Sequence, residues 1–92
     1  MTNYAMLGEY TAFSEQAKDA ARRRFACMHN LGQTLMNLSE RAEMPFDETA
    51  ATAQLSEIQK ADIEMRAALE RANQAAKLCG KPELTLAKLL KS

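Results

Sequence analysis

Two apolar stripes at helical spacing flank the turn Met44-Pro45-Phe46-Asp47, and they mirror each other. The first is Ala17, Ala21, Arg24, Met28, Leu31, Leu35, Leu38 and Ala42. The second is Ala51, Leu55, Ile58, Asp62, Met65, Leu69, Ala72 and Ala76. Folding the chain at the turn opposes positions whose numbers sum to 93, so Leu38 meets Leu55, Leu35 meets Ile58 and Met28 meets Met65. Apolar positions at spacings of three and four form one face of a helix. Two such faces in mirror order predict an antiparallel helical hairpin. On this pairing Leu35→Asp is expected to destroy the fold by burying a charge against Ile58.

The residue types agree. Val is absent, Ile occurs only twice, and Ala, Leu, Met, Glu, Lys, Arg and Gln dominate. These are strong helix formers. Asn3 or Thr2 is expected to cap a first helix spanning about 4–43, with Gly8 the position where it would break first. Pro45 disfavours helical geometry at Met44 and ends that helix. Asp47 caps a second helix over about 48–79, and Gly80 followed by Pro82 closes it. A short third helix is expected near the C-terminus, beginning at Pro82 or capped by Thr85. The 92 residues make a single all-α domain, 1–92.

One seam between two helices cannot cover all the apolar residues. Tyr4, Met6, Leu7, Tyr10, Phe13, Phe25, Met36, Phe46 and Ile63 lie off it or beyond it, as do Leu84, Leu86, Leu89 and Leu90. An apolar excess of this kind marks an interaction surface. Either the tail packs on Tyr4 to Phe13, or two hairpins associate as a homodimer with a four-helix bundle. The expected protein-contact residues are Tyr10, Phe13, Phe25, Met36, Leu86, Leu89 and Leu90.

Twelve basic and twelve acidic residues cancel, which removes any global field toward nucleic acid or membrane. The distribution is uneven. Residues 25–65 carry seven acids and two bases, net −5, and the remainder carries ten bases and five acids, net +5. Arg22-Arg23-Arg24 beside Phe25 is the sharpest local motif. With Lys18, Lys77 and Lys88 it makes the basic open end a candidate DNA or RNA contact through Lys18, Arg22, Arg23, Lys77 and Lys88. Successive helix residues point about 100° apart, however, so three arginines in a row do not share a patch. Asp62 interrupts the second stripe opposite Leu31. It either sets register or, more simply, pairs with Arg66 at the surface.

Catalytic and cofactor chemistry is absent from the expectations. His29 is the only histidine, and it points away from Cys27 on a helix, so the two do not share a metal. No phosphate-cradling Gly-rich loop or nucleophile–base pair can be assembled. Metal and cofactor sites are therefore expected to be none, and an enzyme is not expected. Met1 to Tyr10 has neither the basic residue nor the apolar run of a leader. No segment approaches the ~18 apolar residues that a membrane span needs. Under the 93-sum pairing Cys27 and Cys79 lie about 13 residues, or roughly 20 Å, out of step along the helix axis. They are expected to be free thiols, which suits the cytoplasm.

The length and plan are shared with secreted helical hairpins of the WXG type, whose Trp-x-Gly turn is replaced here by Met44-Pro45-Phe46-Asp47. In style the chain is similar to small phage-encoded accessory proteins. The expectation is a cytosolic, non-enzymatic protein–protein interaction module: an inhibitor, adaptor or small regulator acting on another protein. The alternative is a nucleic-acid-associated accessory protein that uses the basic open end.

Overall fold

The computed structural model describes residues 3–91, with side-chain surroundings for 3–90. Thr2, the other candidate cap, and the side chain of Lys91 lie outside the described residues. Three helices follow in chain order: α1 (Tyr4–Glu40), α2 (Glu48–Cys79) and α3 (Leu86–Lys91). α1 and α2 form the hairpin, and with α3 the molecule measures 65 × 22 × 13 Å. No strand occurs among the described residues.

The helix ends follow from local chemistry. Asn3 Oδ1 accepts from the Met6 N–H at 3.1 Å, and Asp47 Oδ1 accepts from the Ala50 N–H at the same distance. Each satisfies one of the four N–H groups that a helix start leaves unpaired. At the other end of α2, Gly80 takes a left-handed conformation (φ 74°), and the Lys81 N–H donates back to the Ala76 carbonyl at 3.0 Å. This is a Schellman closure, for which glycine is favoured because it lacks a Cβ.

α1 runs unbroken through Gly8 and Gly32 and stops at Glu40, three residues earlier than expected. Pro45 reaches only as far as Met44, so it does not set this end. Ser39 Oγ donates to the Met36 carbonyl at 2.7 Å, and Glu40 places an acid in the last turn, where the helix dipole disfavours it. Residues 41–47 then make the connection, with the Met44 N–H bonded to the Arg41 carbonyl at 3.0 Å.

The early stop changes the register. The midpoint between Glu40 and Glu48 is residue 44, so fold-back there opposes positions summing to about 88 rather than 93. The interhelical contacts Arg24–Asp62, Arg23–Glu64 and Phe13–Arg71 have sums of 86, 87 and 84. The 93-sum pairing is thus displaced by about one heptad. Met65 is 1% exposed and packs with Ala17, Ala20 and Ala21, not with Met28, which is 42% exposed.

The composition of the seam changes as well. It is a heptad on both helices. In α1 the positions are Tyr10, Ala17, Arg24, Leu31 and Leu38, with Phe13, Ala20 and Cys27 between them. In α2 they are Ala51, Ile58, Met65, Ala72 and Cys79, alternating with Gln54, Ala61, Ala68 and Ala75. All of these are buried or half-buried. The expected second columns, through Met28 and Leu35 and through Leu55 and Leu69, sit one residue to the side of the true ones. Small alanines bring the two backbones close, and the bulky neighbours are left flanking the contact. Leu35 is accordingly 46% exposed, so Leu35→Asp does not bury its charge against Ile58.

α3 docks within the same chain, though not on Tyr4 to Phe13. Leu89 is 2% exposed and joins Ala17, Ala20, Ala21, Met65 and Ala68 in the core cluster, with Leu69 and Leu84 packed beside it. The Asn73 amide secures the preceding segment from both sides. Its Oδ1 accepts from the Leu84 N–H at 2.7 Å, and its Nδ2 donates to the Leu84 carbonyl at 2.9 Å. Thr85 then caps the helix, its Oγ1 accepting from the Lys88 N–H at 3.3 Å. Of the two proposed starts for this helix, Thr85 is the one adopted.

Candidate interaction surface

Among the described residues, burial is confined to the open half of the hairpin. The buried residues are Ser14, Ala17, Ala20 and Ala21 in α1, and Ala61, Met65, Ala68, Ala72, Ala75 and Ala76 in α2, joined by Leu89 of α3. None of residues 22–60 is buried. Yet that stretch holds Phe25, Met28, Leu31, Leu35, Met36, Leu38, Met44, Phe46, Leu55 and Ile58. Near the turn, Leu31, Leu35, Leu38, Met44 and Phe46 line an open apolar hollow of about 190 Å³.

A second hollow, about 230 Å³, lies where α3 ends against α1, lined by Ala21, Arg22, Phe25, Leu89 and Leu90. Phe25 is 71% and Leu90 63% exposed. The Phe25 ring stacks on His29 with centroids 6.2 Å apart, which uses the single histidine as an aromatic shelf.

The seven expected protein-contact residues fall into three groups. Phe25, Met36, Leu86 and Leu90 are exposed. Tyr10 and Phe13 are half-buried on the seam, and Phe13 lies beneath the Arg71 guanidinium at 5.5 Å, a cation–π contact within the hairpin. Leu89 is removed from the set, because it is the residue that anchors α3 in the core.

The basic triplet divides by direction, as consecutive helix positions must. Arg23 bridges to Asp19 at 3.2 Å and across the hairpin to Glu64 at 2.7 Å. The hydrogen bond to Glu64 is the main cause of its raised pKa. Arg24 Nε donates to Asp62 Oδ1 at 2.8 Å, while Arg66 Nε donates to Asp62 Oδ2 at 3.0 Å. Asp62 is therefore paired with Arg66, as the simpler reading has it, and with Arg24 from the facing helix instead of meeting Leu31. Arg22 makes no ion pair among the described residues and faces the hollow beside Phe25.

The remaining candidate cations have their own local surroundings. Lys18 is 3.9 Å from Glu15 and borders a groove with Tyr10 and Lys81, and Lys77 pairs with Glu83 at 3.5 Å. Lys88 is exposed on α3. No group of His, Cys, Asp and Glu able to hold a metal occurs among the described residues. Cys27 and Cys79 are free thiols. No described helix is long and apolar enough to cross a membrane.

Asp62 supplies a pH-dependent test of the register. Hydrogen bonds from Arg66 first and Arg24 second hold its carboxyl below the ordinary value of 3.8. A carboxylate with a depressed folded-state pKa stabilises the fold above its unfolded pKa, and that contribution is lost as pH falls through the folded value. Asp62→Asn is therefore expected to melt below the native protein at neutral pH. The gap should close as pH drops below about 4. A gap that stays constant through this range would mean that the carboxylate is not clamped between the two arginines.

No protein-family model, curated protein or solved structure matches this chain.

Proposed function

We propose that the chain is a non-enzymatic protein–protein interaction module, working in the cytoplasm as an inhibitor, adaptor or small regulator of the accessory kind. One observation carries this reading. Residues 22–60, close to half the chain, contain seven exposed large apolar side chains (Phe25, Met28, Leu35, Met36, Met44, Phe46 and Leu55) and not one buried residue. A monomeric protein rarely leaves contiguous apolar surface of this extent uncovered, and such surface marks a binding site.

A second reading, nucleic-acid association, draws on Arg22, the one arginine of the triplet without an ion-pair partner among the described residues. It predicts binding that weakens steeply with salt and again in Arg22→Glu.

An affinity pull-down of the tagged full chain, with and without nuclease, separates the two readings. The expected result is a stoichiometric protein that survives nuclease and is lost with Met36→Asp. Met36 is 56% exposed, so this substitution leaves the fold intact. Recovery of nucleic-acid-associated proteins alone, lost on nuclease treatment, would overturn the interaction-module reading in favour of the second.

A further inference from the structure

α3 covers only part of one face of the hairpin. Its Leu89 and Leu90 reach Ala21, Arg22 and Phe25 on α1, and there the cover ends. Beyond it, Ala21, Phe25, Met28, Gly32, Leu35 and Met36 recur at spacings of three and four, which sets them along one stripe of α1 running to the turn. Past Ala21 every one of them is exposed. Gly32 lies at the centre of the stripe, and a Cβ added there would meet nothing within 4 Å. The stripe is flanked by opposite charges. Arg22, without an ion pair, lies ten residues before Gly32, while Glu40 and Glu43, also without ion pairs among the described residues, lie eight and eleven after it.

We infer that a second copy of this chain packs antiparallel on this stripe, with the two-fold axis near Gly32, forming a four-helix bundle from the turn halves. This inference names a partner for the surface proposed above and rests on that reading. A two-fold axis at Gly32 sets each position against the one equally far on its other side. Met28 of one copy then meets Met36 of the other, Leu35 meets His29, and Arg22 arrives near Glu40 at the end of α1, with Arg41 and Glu43 in the connection beyond it. Arg22 of each copy thus meets Glu40 of the other, twice over by symmetry, which favours the antiparallel sense. Two parallel copies would instead set like tips together. Gly32, lacking a side chain, lets the two backbones approach where the helices cross.

Sedimentation equilibrium of the purified full chain, from micromolar to millimolar concentration, tests this. A dimer is expected. Gly32→Gln and Leu35→Asp each weaken it on the order of tenfold or more, while helical content and cooperative melting persist, because both positions are exposed in one copy. Arg22→Glu weakens the dimer too, and adding Glu40→Arg restores it, a rescue that a merely structural role for Arg22 would not give. A monomer at every concentration would overturn the inference, as would a dimer indifferent to Gly32→Gln and Leu35→Asp. A monomer would leave the pull-down partner standing, and failure of the pull-down would leave the dimer standing, so the two proposals fail separately.

Discussion

Truncating Met65 to alanine costs about 2–4 kcal/mol of unfolding free energy, and truncating Met28 to alanine costs less than about 1. Urea denaturation followed by far-ultraviolet circular dichroism measures both. The two methionines are chemically identical and sit on neighbouring faces of the same hairpin, so the difference isolates packing. Met65 is 1% exposed in a cluster otherwise built mainly from alanine, where it and Leu89 are the two large side chains. Removing it leaves a cavity that alanine neighbours, having no rotamers, cannot fill. Met28 is 42% exposed and has already lost much of what burial could give it. Equal costs for the two substitutions would point back to the 93-sum register, in which they face each other.

The 93-sum register and the true one are hard to tell apart for a physical reason. Side chains that repeat every seven residues give a seam that looks the same after a slide of one heptad. The sequence alone distinguishes the two alignments only through the fold-back point. Pro45 marks a place the helix cannot pass, whereas the actual end at Glu40 is set by Ser39, Glu40 and the chain's own connection. The bulkier columns, Met28 with Leu35 and Leu55 with Leu69, were also the more conspicuous. The seam uses Ala61, Ala68 and Ala75, a column at the same period whose small side chains allow closer approach. That column was visible in the sequence as seven-residue spacing.

Local features were legible because their causes are local. Asn3, Asp47 and Gly80 cap or close helices through bonds within a few residues. The Asp62–Arg66 pair is likewise one helical turn apart. Contacts that depend on register or on the docking of the tail were not legible. Arg24 reaches Asp62 only after the one-heptad slide, and Asn73 holds Leu84 through an amide that no periodic pattern announces. The apolar excess itself was readable by comparing the apolar residues with what one seam can bury. Leu89 was assigned to the surface because a six-residue helix gives too short a pattern to reveal which of its leucines turns inward.

Ala20→Leu tests the close approach that the alanine seam provides, and it is expected to cost about 1–3 kcal/mol. Leucine is nearly as good a helix former as alanine, so propensity contributes little and the loss reports on space. Ala20 is 0% exposed and packs in the cluster that also holds Met65, Ala68 and Leu89. Three added carbons must push α2 away, displace Leu89, or both. The same substitution at Ala26, six residues along α1 and exposed, should stay within about 0.5 kcal/mol of the native protein. Limited proteolysis in the 81–85 segment distinguishes the two responses. If Leu89 is displaced, α3 undocks and this segment is cut faster than in the native protein. If α2 moves instead, cutting is unchanged and the Arg24–Asp62 bond at 2.8 Å is strained, so the pH dependence assigned to Asp62 flattens. A variant as stable as the native protein would show that the two helices do not meet through Ala20, and the heptad seam would have to be redrawn.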